Sequence, residues 1–194
     1  KAKQAATAGA PAPEVVPAWE AMLPYLSGKL PIMVHASEVR QIRAALAWAA
    51  TNSYHIILAD ARDAWMLAGQ LAAQKVPVIY SHTFTLPPRD TASYDVQFTA
   101  PEVLHKAGVK VAFAGGPGSF NAPLTKNLPY EAAQAVAFGL PADEGLKGIT
   151  LYPAQIAGVA DRLGAIEPGK EASLVALDGD MLDIRSNVKH LWIA

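Results

Sequence analysis

Four short runs of nearly unbroken apolar residues recur along the chain, each followed by a stretch with helical spacing. No other feature constrains the fold as much. The runs are "LPIMVHA" (30–36), "YHIILAD" (54–60), "VPVIYSH" (76–82) and "VKVAFAG" (109–115). Strands that are apolar on both faces belong to a parallel sheet covered by helices, so four strand–helix units predict an α/β fold. Helices are expected over 37–52, 61–75, 100–108 and 127–140. In the first of these, Ser37 reads as the N-cap, and Val39, Ile42, Leu46 and Ala50 form the apolar face. The connection after the third strand, residues 83–99, is long, as is the one after the fourth. Loops of that length line sites at the carboxyl ends of the strands.

With 52% hydrophobic and 17% charged residues among 194, the chain has ample material for a core. A net charge of −1 without a basic run argues against a nucleic-acid partner. No apolar stretch approaches the roughly 20 residues that cross a bilayer. The absence of cysteine excludes thiolate metal sites and leaves the redox compartment open.

The organisation reads as three parts. Residues 1–29 are an Ala/Pro-rich linker ending in a short helix closed by Gly28, and 30–160 hold the strand–helix units. Residues 161–194 read as part of a small β domain, with a strand at 173–177 and a last one in "VKHLWIA". Two short helices are expected between 140 and 160, broken near Thr150 and Pro153. A first residue other than methionine and an apolar end predict a piece of a longer chain.

The segment "LKGITLYPAQIAGVADRLGAIEPGKEASLVALDGDML" resembles the C-terminal part of the amidohydrolase superfamily, in particular its imidazolonepropionase-like branch. The residues that carry the resemblance are Thr150, Pro153, Ala154, Arg162, Leu163, Gly164, Ile166, Glu167, Pro168, Gly169, Lys170, Ala172, Leu174 and Val175. It implies that the four units are strands five to eight of a (β/α)8 TIM-type barrel, covering about residues 30–194. The His-x-His pair of such a barrel's first strand has no counterpart in this chain. The implied chemistry is metal-assisted hydrolysis of non-peptide carbon–nitrogen bonds. A divalent ion such as zinc lowers the pKa of a water, and a strand-eight aspartate moves the proton.

Under that resemblance His35 stands where a metal-binding histidine is expected. Asp60 replaces a histidine at the sixth strand, just before the triplet Asp63-Ala64-Trp65, and its other reading is an N-cap for the next helix. His82 ends the seventh strand. His35, Asp60 and His82 together read either as a facial cation site or as three unrelated polar residues at loop starts. His55, which opens its strand, reads as structural. At the eighth strand Gly115-Gly116 occupies the Thr-Asp place, so the expected carboxylate is missing. The glycines of "GGPGSF" fit no phosphate-binding spacing and are read as a turn needing positive φ. Arg89 and Tyr130 are the candidate substrate-binding residues. Arg89 also reads as a solvated loop charge, and Glu131 as a complement to its helix N-terminus.

Two functional readings stand side by side. One is the C-terminal portion of a hydrolase for amide, imide or cyclic C–N bonds, active only with its missing N-terminal half. The other is a non-catalytic binding or assembly module derived from an amidohydrolase, with a degenerate metal site. This stretch alone is expected to hold no cofactor. Its expected partners are a small-molecule ligand and a second copy or the missing half, which would cover the raw sheet edges. A free-standing open α/β domain is the third architecture weighed.

Overall fold

The computed structural model describes residues 15–116 and 121–194. The expected linker over 1–14 and part of the glycine-rich turn, 117–120, lie outside the described residues. Helix α1 (Pro17–Leu26) is followed by strand β1 (Ile32–Ala36), helix α2 (Val39–Asn52) and strand β2 (Ile56–Asp60). A 3-10 turn (Ala64–Leu67) leads into α3 (Ala68–Ala73), then β3 (Val78–Tyr80), α4 (Val96–Lys106) and β4 (Val111–Phe113). After a second 3-10 turn (Ala122–Asn127) come α5 (Leu128–Ala137), α6 (Ala142–Ile149) and α7 (Leu151–Ile156). Strands β5 (Leu174–Leu177) and β6 (Val188–Trp192) close the chain.

Strands β1 to β4 form one sheet in sequential order, parallel throughout, with Ala36 opposite Asp60 and Asp60 opposite Tyr80. Sequential parallel order follows from one helix crossing over between each pair of strands. Alternation sorts each strand into two faces. Ile32, Val34, Leu58 and Val78 pack with Ile42, Leu46, Leu71 and Leu104 of the helices in the main core. On the opposite face of β1, Met33 and His35 are exposed. A second cluster joins Phe113 to Ala132, Ala135 and Leu140, extending the core under α5. Strands β5 and β6 pair antiparallel as a separate, largely exposed sheet.

Several local expectations are corrected. Glu38, not Ser37, caps α2, and Gln41 Oε1 accepts from the backbone N–H of both at 3.1 Å. The stretch 61–75 is a 3-10 turn plus a short helix rather than one helix. Helix α4 begins before residue 100 and includes Pro101. Proline cannot donate to the carbonyl four residues back, that of Gln97, and the buried Tyr80 hydroxyl lies 3.0 Å from that oxygen instead. Thr150 separates α6 from α7, whereas Pro153 sits in the first turn of α7, where its missing N–H costs nothing. Gly164, at φ +92°, lies against α7 so closely that an added Cβ would meet Ala154 Cβ at 2.7 Å.

Candidate functional site

The carboxyl ends of β1, β2 and β3 converge on Asp60. His82 Nε2 lies 2.6 Å from Asp60 Oδ1, and the Ser81 hydroxyl donates to the same oxygen at 3.2 Å. The Ser37 hydroxyl donates to Oδ2. Burial opposes ionisation of Asp60, but the Ser37 hydroxyl, the His82 imidazole and the Ser81 hydroxyl outweigh it and hold the carboxyl below its usual range. The backbone explains how Asp60 reaches these partners. Asp60 and Ala61 both have left-handed φ values, +75° and +62°, which redirect the chain where the strand ends. Asp60 is thus not a cap for the following helix: its oxygens are engaged across the strand ends. The other ring nitrogen of His82, Nδ1, faces Thr85 Oγ1 at 3.3 Å.

Beside this pair a second carboxylate is fully buried. Asp63 has a side-chain exposure of 0% and accepts from Arg89, whose Nη1 reaches Oδ1 at 3.5 Å while Nη2 bonds Oδ2. Arg62 Nε lies 3.5 Å from Asp63 Oδ1, and the Val39 N–H at the start of α2 donates to Oδ2 at 3.2 Å. The hydrogen bond and the charge of Asp63 both raise the Arg89 guanidinium's pKa. Arg89 is therefore not a freely solvated charge; it ties the long loop after β3 to the buried end of β2.

Glu131, in the first turn of α5, is partly buried. Burial pushes its carboxyl above the ordinary range, and the adjacent Thr83 hydroxyl pulls the other way. Burial, then Glu131 and Asp63, raise the Tyr80 phenol in turn. Tyr130, next along α5, is 38% exposed. The carboxyl end of β4 runs into Gly115 and Gly116, the latter at φ +86°, where an added Cβ would come within 3.1 Å of Asn121 Nδ2. That left-handed value agrees with the turn read from the glycines. His55 lies at the other end of the sheet, in a groove between helix ends and strand starts.

Of the residues singled out by sequence, Asp60 and His82 meet directly, and His35 occupies the neighbouring strand opposite Ala59, on the face away from the helices. Among the described residues no three His, Asp or Glu side chains gather as a metal-holding group. Sequence reasoning missed Ser37 and Ser81 as partners of Asp60. The signal for Ser81 was its place directly before His82 at a strand end. It also missed Asp63 as a buried anchor, which the neighbouring Arg62 and the loop's Arg89 could have suggested.

A model of the amidohydrolase family matches residues 29–193. The imidazolonepropionase of Mesorhizobium japonicum is 30% identical over 149 residues, which cover 77% of this chain and 35% of that protein. That of Brucella anthropi is 28% identical over 166 residues, 84% of this chain and 40% of the relative. The crystal structure of an amidohydrolase from Thermotoga maritima MSB8 superposes with a TM-score of 0.83 at 28% identity, over 98% of this chain and 49% of that one. The chain thus spans less than half the length of the curated relatives it matches, and its four-stranded sheet is the kind of arc that forms part of a TIM-type barrel. Over most of its length, this chain belongs to the amidohydrolase family.

Proposed function

We propose that the protein binds a small organic molecule at the carboxyl-end mouth of its barrel, and that the metal-assisted hydrolysis of C–N bonds associated with this scaffold is degenerate. The half-barrel over 30–160 and the β-domain portion over 161–194 are the two working parts of that reading. The observation that carries it is the engagement of Asp60. Three of about four lone-pair positions on a carboxylate are taken by Ser37, Ser81 and His82. Gly115 and Gly116, just beyond β4, offer no ligating side chain where the resemblance expects an acid. In this reading His35, Asp60 and His82 are a poor match to a divalent ion. The imidazole that would face the ion is spent on the carboxylate beside it. The chain's own residues then do other work: Asp60 orients His82, and Arg89 and Tyr130 flank the mouth as contacts for an anionic or aromatic part of the ligand.

The test is elemental analysis of the full-length protein alongside an assay on acyl-amide and cyclic-imide substrates. No stoichiometric zinc, manganese or iron and no hydrolysis are expected. Stoichiometric metal that His35→Ala removes, together with turnover, would overturn the proposal. That outcome belongs to the second reading, a hydrolase with altered ligands. It is favoured by one observation, the exposed His35 on the face of β1 that points away from the helices.

A further inference from the structure

Between His82 and Arg89 the chain is fastened to three carboxylates from separate places. His82 Nε2 lies 2.6 Å from Asp60 Oδ1 at the end of β2. The Thr83 hydroxyl hydrogen-bonds the Glu131 carboxyl of α5, and Arg89 bonds buried Asp63. Inside the segment, the N–H and the hydroxyl of Thr85 both donate to the His82 carbonyl, at 3.0 and 2.9 Å. Pro87 and Pro88 fix two further φ angles. A segment held in this way has little freedom to fold its side chains under itself.

Yet it carries two large apolar side chains in the open. Phe84 is 56% exposed and Leu86 87%, the highest value for a large apolar residue among the described positions of 30–160. Single exposed apolar residues are ordinary on a protein surface. These two differ in place and in rigidity. They flank Thr85, whose Oγ1 lies 3.3 Å from His82 Nδ1, so they stand beside the Asp60–His82 pair at the carboxyl end of the sheet. Strand β3, which leads into the segment, is an inner strand with β2 and β4 on either side. Further barrel strands would join beyond β1 or β4 and would not border it. Arg89 ends the segment. Its side chain is 40% exposed, so N–H groups not spent on Asp63 remain open to a ligand.

We propose that residues 84–89 form a rigid clamp that recognises an organic anion bearing an aryl or branched-alkyl group. Phe84 and Leu86 take the apolar group, and Arg89 takes the anionic end. The clamp rests on the reading of the mouth as a binding site and names the ligand class for it. Its three attachments give the exposed apolar contacts their use, because the ordering that binding would otherwise require is already done.

Calorimetric titration of the full-length protein with 4-phenylbutyrate and with butyrate tests this, since the two probes differ only in the ring. 4-Phenylbutyrate is expected to bind about tenfold more tightly, the worth of burying part of a phenyl ring. In the double variant Phe84→Ser/Leu86→Ser, which alters only exposed side chains, that preference should vanish. Equal affinity of the unsubstituted protein for both probes, or a preference that survives in the double variant, would overturn the clamp and leave the reading of the mouth standing. Binding of neither probe would overturn both.

Discussion

The two ends of the parallel sheet use the same unusual backbone conformation for different purposes. At the amino ends of the strands, Ser53 (φ +56°), Lys75 (φ +53°) and Gly108 (φ +89°) follow α2, α3 and α4 and turn the chain toward the next strand. They border a groove of about 830 Å³ lined by such residues as Ala49, Leu71, Val76 and Val109. There the left-handed residue simply ends a helix. At the carboxyl ends, Asp60 and Ala61 adopt it directly after a strand, and one of them is held by three side-chain hydrogen bonds. Buried Asp63 adds two guanidinium partners alongside. The amino end solves a problem of chain reversal. The carboxyl end places charged groups at a cost that chain reversal alone does not require, as the proposed binding mouth would need.

Substitutions that break this contrast should fall in a definite order. Asp63→Ala is expected to be the most damaging, costing about 3 kcal/mol, because it strands Arg62 and frees the loop that Arg89 ties down; urea unfolding would measure it. Asp60→Asn should cost about 2 kcal/mol at neutral pH through its lost charge-assisted bonds. Since the carboxyl's folded pKa lies below its ordinary value of 3.8, that contribution is present above pH 4 and disappears as pH falls through and below it. The two proteins' unfolding midpoints should accordingly converge on acidification, and parallel curves would contradict the assignment.

Glu131→Gln should act with the opposite pH sense. A carboxyl whose folded pKa is raised above 4.5 stabilises the fold fully below that value and loses the contribution as pH rises. The amide variant should therefore gain, by about 1 kcal/mol, at pH 7 relative to pH 4, as thermal melts at both values would show. The smallest effect is expected at the amino end. Lys75→Gly relieves a left-handed side chain in an exposed position and should stabilise by about 0.5 kcal/mol, since the relief of strain slightly exceeds glycine's entropic cost. An effect at Lys75 as large as that at Asp63 would erase the distinction between the two ends.

The scaffold was legible because burial writes itself into composition. Runs such as "HIILAD" and "VPVIY" are apolar on both faces only where helices and a barrel interior flank them, and the four strands fall within those runs. The family, too, was legible in the stretch from Thr150 to Val175. The rim was less so. Strand alternation alone would group Asp60 with Ile56 and Leu58 on the helix side, and nothing in "LADARDA" announces two consecutive left-handed residues that turn it toward Ser37, Ser81 and His82. Arg89 is separated from Asp63 by 26 positions, so its pairing rests on loop closure rather than on spacing. The early start of α4 was hidden by Pro101, which reads as a helix breaker until the Tyr80 hydroxyl is seen at the carbonyl it leaves open.

That last arrangement makes the two positions energetically dependent on each other. A phenylalanine at 80 would orphan the Gln97 carbonyl as long as proline remains at 101, whereas an alanine at 101 could supply the missing donor from its own backbone. Mutational paths through this pair therefore have a permitted direction: the proline must go first, and the aromatic hydroxyl becomes dispensable only afterwards.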